Sequence, residues 1–330
     1  MVALFFARHR PAVPTQTLPG GTPGPGSYLG ETPTQLLKRI EFRILRRLDG
    51  FLFGDYSGLF YGPSLDLAEV REYQPGDEVR RIDWNVTARS GTLHVRQYRE
   101  EREVRAWLVV DLSSSMAFGT RRVRKEELAF EFAGLTAAVV TRRGNKVGAL
   151  SFSEGDISLS PLGGGRRAPL ELIGTLLRTS ASRERRPNGP RPTLASALAE
   201  ANRILKRKAL VFVVSDFIEP EGGERRWESE LRRLALRHEV IAVKISDPAE
   251  RELPLAGDLR LRDPETGREL WVDTADPRVR REHARLVAER QAALTQAFRR
   301  SRVDLLEIST SQGVVAPVVR FTLSRRGRRQ

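Results

Sequence analysis

The sequence contains no cysteine, and this absence excludes several kinds of site at once. Without thiols the chain can form neither disulfide bonds nor zinc–cysteine centres, and it has no thiol nucleophile. The composition is otherwise typical of a globular protein, with 40% hydrophobic and 30% charged residues. A chain without disulfides fits a reducing compartment, so we expect a cytoplasmic location.

Long hydrophobic runs are also missing. The longest ones, such as residues 107–110 and 209–214, are far shorter than the roughly 18 residues that a membrane helix requires. The apolar residues at the N-terminus have no positively charged region before them and are interrupted by Arg8, which argues against a secretory signal. The sequence therefore predicts no transmembrane segment.

Lysine is scarce, because only six of the 56 basic residues are lysines. The net charge of +14 raises the question of nucleic-acid binding, since basic side chains neutralise phosphates. However, the arginines are mixed with acidic residues, for example in residues 99–103 and 224–228, as is typical of solvated surfaces with ion pairs. We therefore consider a nucleic-acid partner unlikely on composition.

The N-terminal third falls into three parts. Residues 1–33 are dense in proline and glycine and predict a disordered lead. An amphipathic, basic helix is expected from Thr34, its possible N-cap, to about residue 48; it could lie on a membrane, but we favour docking on the following domain. Residues 34–103 as a whole then comprise this helix and a small β-containing subdomain, with a strand at 92–98.

From residue 104 to 310, apolar runs alternate with segments of helical periodicity. This pattern predicts an α/β fold with a doubly wound, mostly parallel sheet. The expected strands lie at residues 105–111, 146–152, 209–215, 240–245 and 303–308, with helices at 123–143 and 277–300. A hairpin insertion is expected near 258–273, and residues 311–330 are expected to be a basic C-terminal tail.

Two of these strands end in carboxylate and hydroxyl side chains. Asp111 ends one strand and is followed by Ser113 and Ser115, while Asp216 follows Ser215 at the end of another. Ligands of parallel sheets bind beyond the carboxyl ends of the strands, and oxygen ligands without nitrogen or sulfur suit a hard cation such as Mg²⁺. Neutral hydroxyls leave the ion able to accept a further carboxylate, which favours binding over catalysis. The simpler alternative is that the serines only cap a helix.

These residues resemble the metal-ion-dependent adhesion site of the von Willebrand factor A family, which combines an Asp-x-Ser-x-Ser loop with a threonine and an aspartate from two further loops. The resemblance implies a von Willebrand factor A-like fold that holds Mg²⁺, or another divalent cation, at five positions. Those positions are Asp111, Ser113, Ser115, Thr193 and Asp216. Residues 189–192 replace the glycines that usually precede the threonine.

Residues 71–84, with the strand that ends near residue 98, are similar to the domain of unknown function 58 family. The resemblance covers about residues 60–250. It implies a MoxR-type AAA+ ATPase, or a client of that ATPase, as the partner. The polar and aromatic residues of this block form either an ion-pair network against the sheet, which we favour, or a partner surface. They are Arg71, Arg80, Arg81, Asp83, Trp84 and Arg89.

We therefore expect a non-enzymatic, metal-dependent protein-binding adaptor whose protein partner supplies an acidic residue. The alternative is a divalent-metal-dependent hydrolase that uses the same carboxylates. Phosphoryl transfer would be better served by a second aspartate two residues after Asp111, where the sequence has Ser113. No histidine has a spacing that suggests a general base, so we expect no enzymatic activity.

Overall fold

The computed structural model describes residues 5–8, 32, 34, 35, 38, 69–97, 104–121, 123–142, 144–182, 191–218, 226–263 and 268–327. The chain divides into two compact units. Residues 61–104 form the smaller unit, and the remainder of the chain forms the larger unit.

The strands and helices of the described residues are numbered in chain order. The strands are β1 (Phe5–Arg8), β2 (Glu69–Glu72), β3 (His94–Gln97), β4 (Arg105–Asp111), β5 (Lys146–Phe152), β6 (Ile157–Gly163), β7 (Leu210–Ser215), β8 (Glu239–Ser246), β9 (Asp258–Arg262), β10 (Glu269–Asp273) and β11 (Asp304–Ser309). The α-helices are α1 (Trp84–Ser90), α2 (Lys125–Arg142), α3 (Arg167–Ala181), α4 (Leu194–Ile204), α5 (Arg226–Ala235), α6 (Pro277–Ser301) and α7 (Val315–Gly327).

The larger unit is built on a six-stranded sheet with the order β11-β8-β7-β4-β5-β6. Every neighbouring pair is parallel except β5 and β6, which are antiparallel. The predicted α/β fold with a mostly parallel sheet is therefore confirmed. The predicted hairpin forms β9 and β10, which pair outside the central sheet.

Helices cover both faces of this sheet, because its strands are apolar on both sides. Trp107 and Val109 of β4 face a core that contains residues of α4, α5 and α6. Their neighbour Leu108, on the opposite face, is also completely buried. On that face Phe132 of α2 packs edge-on against Phe212 of β7, with ring centroids 5.4 Å apart. Continuous apolar strands of this kind are characteristic of parallel sheets.

Helix α2 is buried more completely than an amphipathic stripe predicts. Leu128, Phe132 and Leu135 are buried as expected, but Val139 is only half-buried. The first turn is buried as well, although it carries the charged side chains of residues 125–127. Gly144 after the helix has φ +78°, the left-handed conformation expected for a glycine that ends a helix.

Both ends of the larger unit differ from the sequence prediction. Residues 5–8, inside the predicted disordered lead, form β1 and pair with β9, because this apolar stretch can extend a sheet edge. Residues 315–327, inside the predicted tail, form helix α7 with Val318 and Phe321 buried. The buried guanidinium of Arg325 pairs with Glu239 and Asp304, so this part of the basic run stabilises the fold.

The amphipathic helix predicted from Thr34 lies mostly outside the described residues. Residues 34, 35 and 38 are helical. The cap is Thr32 rather than Thr34, because the backbone N–H of Gln35 donates to Thr32 Oγ1 at 3.3 Å. Among the described residues, no helix has the length and apolar character needed to span a membrane.

The smaller unit contains an antiparallel pair, β2 and β3, joined by a turn and helix α1. Asp83 caps α1 by accepting hydrogen bonds from the N–H groups of Asn85 and Val86. Arg71 forms a two-pronged ion pair with Asp77, at 2.7 and 2.8 Å. Two of the predicted interaction residues thus stabilise the unit internally, while Trp84 is 65% exposed.

We predict that Trp227→Ala destabilises the protein much more than Trp227→Phe. The side chain is fully buried against Phe217 and Phe298, yet its indole N–H has no partner among the described residues. Truncation to alanine should cost about 3–5 kcal/mol. Phenylalanine keeps the aromatic packing and removes the unpartnered donor, so it should cost roughly 1 kcal/mol. Urea unfolding measures the free energy of unfolding of both variants, and equal losses would contradict the prediction.

Candidate functional site

The candidate site lies where the direction of sheet growth reverses. From β4 the chain continues to β5 on one side and later returns to β7 on the other side. The neighbouring strands β4 and β7 run parallel, with Val110 opposite Val214. Their carboxyl ends therefore flank the crevice in which open α/β sheets bind ligands.

Asp111 organises the loop that follows β4. One carboxylate oxygen, Oδ1, accepts hydrogen bonds from the N–H of Ser113 at 2.9 Å and from its hydroxyl at 2.6 Å. The Ser113 hydroxyl lies 3.2 Å from that of Ser115. The other oxygen, Oδ2, accepts from the Ser215 hydroxyl at 2.6 Å, which connects the two strand ends. All four side chains are buried.

Asp216, the second predicted carboxylate, is paired with a buried lysine. Lys125 Nζ donates to Asp216 Oδ2 at 2.6 Å and also to Glu250 Oε1. Asp216 Oδ1 accepts from the N–H of Ile218 at 3.0 Å, so both oxygens of this carboxylate are engaged. Lys125 comes from the first residue of α2 and is completely inaccessible to solvent.

Thr193, the fifth predicted residue, is the N-cap of helix α4. Its hydroxyl accepts from the N–H of Ser196 at 3.2 Å, and the Ser196 hydroxyl accepts from the N–H of Thr193 at 2.8 Å. This reciprocal pair is a capping box. The structure thus brings Asp111, Ser113 and Ser115 together, whereas Thr193 is exposed and is used to begin a helix.

Two further carboxylates support the neighbouring loops. Glu154, after β5, accepts a hydrogen bond from the N–H of Ser114 at 2.5 Å. Asp247, after β8, accepts from the hydroxyls of Thr120 and Thr310. Although burial opposes its charge, these hydrogen bonds lower the pKa of Asp247. The segment after β4 is therefore hydrogen-bonded to Glu154, which follows β5, and to Asp247, which follows β8.

The charges at this edge depend on one another. Burial raises the pKa of Asp111 to about 6, and the nearby charge of Asp216 adds to this effect, while hydrogen bonds from Ser113 and Ser215 oppose it. Burial disfavours the ammonium of Lys125, but the carboxylates of Asp216 and Glu250 outweigh burial and raise its pKa. Lys125 is therefore charged whenever these carboxylates are ionised.

The donor set of the loop fits a hard cation. Oxygens that share a Mg²⁺ at 2.0–2.1 Å lie about 3 Å apart, and the Asp111, Ser113 and Ser115 oxygens are separated by 2.6 and 3.2 Å. No group of three or more histidine, aspartate or glutamate side chains suited to a metal occurs in the described parts of the chain. A cation at this edge would depend on the hydroxyls and on Asp111.

Two residues of this site were not among the predicted ligands, because Lys125 was not singled out and Ser215 was noted only for its place at the strand end. Ser215 had a usable signal, because it ends the same apolar run that precedes Asp216. Lys125 had a weaker one, as a lysine in an arginine-rich chain that is followed directly by Glu126 and Glu127. Its partner Asp216 lies 91 residues away, and no local pattern encodes that contact.

A comparison with protein families matches residues 69–293 to the family described as protein of unknown function DUF58. The chain belongs to this family. A relative in Mycobacterium tuberculosis, the uncharacterized protein Rv1480, is 39% identical over 292 residues, which cover 88% of this chain and 89% of the relative. The uncharacterized protein MAV169 of Mycobacterium avium is 37% identical over 154 residues, covering 46% of this chain and 87% of that protein.

Solved structures similar to this DUF58 protein include von Willebrand factor A-like domains. The conserved hypothetical protein BatB from Bacteroides thetaiotaomicron matches with a TM-score of 0.40 and 17% identity, covering 68% of this chain and 99% of BatB. The VWA domain of SpRpn10 matches with a TM-score of 0.33 and 12% identity, covering 66% of this chain and 94% of that domain.

The raised pKa of Asp111 predicts a specific pH dependence in chelator. The folded value of about 6 exceeds the ordinary value of 3.8, so the folded state holds this proton more tightly than the unfolded state does. The bound proton therefore adds to the free energy of unfolding. This contribution is fully present below pH 3.8 and is lost as the pH rises through about 6. Relative to Asp111→Asn, the wild type should therefore lose about 2 kcal/mol between pH 4 and pH 7. Urea unfolding at both pH values tests this, and parallel pH profiles would contradict it.

Proposed function

We infer that this protein is a non-enzymatic adaptor that binds an acidic residue of a protein partner through a divalent cation, such as Mg²⁺. Asp111, Ser113 and Ser115 would hold the ion directly. Thr193 and Asp216, the other two positions of the adhesion-site pattern, come from two further loops. The observation that supports this proposal best is the cluster of loop oxygens at the switch point between β4 and β7.

The donor chemistry favours binding over catalysis. Hydroxyl ligands carry no charge, so an ion held by Asp111 and two serines would keep most of its positive charge. Such an ion attracts a carboxylate from outside the protein. Mg²⁺ also retains several waters in most protein sites, and a partner's carboxylate can replace one of them.

A MoxR-type AAA+ ATPase, or a client of that ATPase, is the partner that we favour. The support is membership in the DUF58 family, since the resemblance to this family implies such a partner. Most of the smaller unit, from residue 69 onward, lies within the matched residues, and this part presents Trp84, which is 65% exposed. A large exposed aromatic side chain is a common anchor of protein interfaces, so this unit could provide a second contact.

We predict that Asp111→Ala abolishes divalent-dependent binding to the MoxR-type ATPase of the same organism, because it removes the charged ligand. Ser113→Ala should weaken binding less, since water can replace a neutral ligand. Glu289→Ala is a matched control, because this glutamate lies on the exposed side of α6 and pairs with Arg285 one turn away on the same helix. Surface plasmon resonance with Mg²⁺ and with EDTA measures all of these variants. Equal binding in EDTA, or full binding by Asp111→Ala, would contradict the proposal.

A further inference from the structure

We propose that Lys125 is a positioning residue that withholds Asp216 from the divalent ion and thereby leaves the ion dependent on a partner's carboxylate. This inference rests on the proposed function and deepens it. It assigns different roles to the two aspartates at the sheet edge. Asp111 is the ligand of the ion, whereas Asp216 is the counter-ion of a permanent cation supplied by the protein itself.

Lys125 is the centre of a buried ion cluster with two carboxylates, those of Asp216 and Glu250. Its ammonium lies 2.6 Å from Asp216 Oδ2 and also contacts Glu250 Oε1. The lysine and Asp216 side chains are 0% and 1% exposed, and that of Glu250 is 11% exposed. At this degree of burial, solvent screens the attraction between lysine and carboxylates only weakly.

Each carboxylate of the cluster is also fixed by a second partner. Asp216 Oδ1 accepts from the N–H of Ile218, and Glu250 Oε2 accepts from the N–H of Asp247 at 3.0 Å. Lys125 is fixed as well, because its backbone N–H donates to the carbonyl of Phe118 at 2.9 Å. Rotating Asp216 towards an ion at the Asp111 loop would break its contact with Lys125. Leaving a buried ammonium with one partner fewer costs free energy.

The cluster therefore lowers the affinity of the site for a free divalent ion. With Asp216 committed to Lys125, the loop offers one carboxylate, Asp111, and the hydroxyls of Ser113 and Ser115. Cation affinity rises with the number of charged ligands. A site with one carboxylate binds the ion weakly, and the carboxylate of a partner adds the second charge. Binding of the ion and the partner is then mutually reinforcing.

The test is a titration of the full-length protein with Mn²⁺ alone. The concentration of free Mn²⁺ is measured at each step by electron paramagnetic resonance, which gives the dissociation constant. The main variant is the double substitution Lys125→Met with Glu250→Gln. It removes one positive and one negative charge, so the net charge of the cluster is unchanged. It frees Asp216 to bind the ion, and we expect about tenfold tighter Mn²⁺ binding than in the wild type. A merely structural role of Lys125 would lower the affinity or leave it unchanged.

Glu250→Gln alone is the matched control, because it keeps the pair between Lys125 and Asp216. It should not tighten Mn²⁺ binding. A second double variant, Lys125→Met with Asp216→Asn, removes the whole pair without a change in net charge. Its Mn²⁺ affinity should stay within about threefold of the wild type, since Asp216 is not a ligand there. A tenfold loss in this variant would overturn the inference even if the first double variant did not fold.

The outcomes separate the inference from the proposed function. Mn²⁺ binding to the wild type that Asp111→Ala abolishes, together with equal affinity in the Lys125→Met, Glu250→Gln variant, contradicts the role of Lys125 and leaves the adaptor proposal standing. Absence of detectable Mn²⁺ binding in the wild type, with clear binding in that double variant, supports the role of Lys125, and the partner-binding measurement in Mg²⁺ and EDTA then decides the adaptor proposal. Binding in neither protein contradicts both.

Discussion

The parallel pairing of β4 with β7 places two carboxylates, Asp111 and Asp216, at the same buried edge of the sheet, and the surrounding structure compensates for that placement. Two like charges in a poorly solvated position repel each other strongly. The protein compensates the two charges differently. Asp111 is satisfied by neutral donors, the hydroxyls of Ser113 and Ser215, whereas Asp216 receives the ammonium of Lys125. This asymmetry gives the two aspartates different chemistry.

The core beneath the edge fixes this asymmetry in place. Phe217, the residue after Asp216, has φ +54°, a left-handed conformation that is uncommon for a residue other than glycine. Its ring packs edge-on against Trp227 and Phe298, with centroid distances of 5.4 and 5.0 Å. Tight aromatic packing can offset the free energy of a strained backbone. The turn that presents Asp216 is thus held by a residue of α5, close in sequence, and by a residue of α6, far along the chain.

The sequence was most informative where structure is encoded locally. The bounds of β4, β5 and the β9–β10 hairpin follow directly from apolar runs and turn residues, and the structure confirms them. The clustering of Asp111, Ser113 and Ser115 follows from their spacing after β4. Helix α7 was not predicted, because the basic sequence at its end is typical of a solvated tail. In the folded protein Arg325 forms ion pairs with Glu239 and Asp304. Contacts between distant residues of this kind have no signal in a single sequence.

The pairing of Lys125 with Asp216 is also a contact between residues that are distant in sequence. Because of this pairing, one carboxylate of the adhesion-site pattern already has a cation as its partner. We propose that a divalent ion binds at the Asp111 loop, beside a lysine that is paired with Asp216. A crystal structure of the Mn²⁺-soaked protein can locate the ion by anomalous scattering. We expect a peak within ligand distance of Asp111, Ser113 and Ser115, with the contact between Lys125 and Asp216 intact. A peak ligated directly by Asp216 with Lys125 displaced, or no peak at this edge, would contradict it.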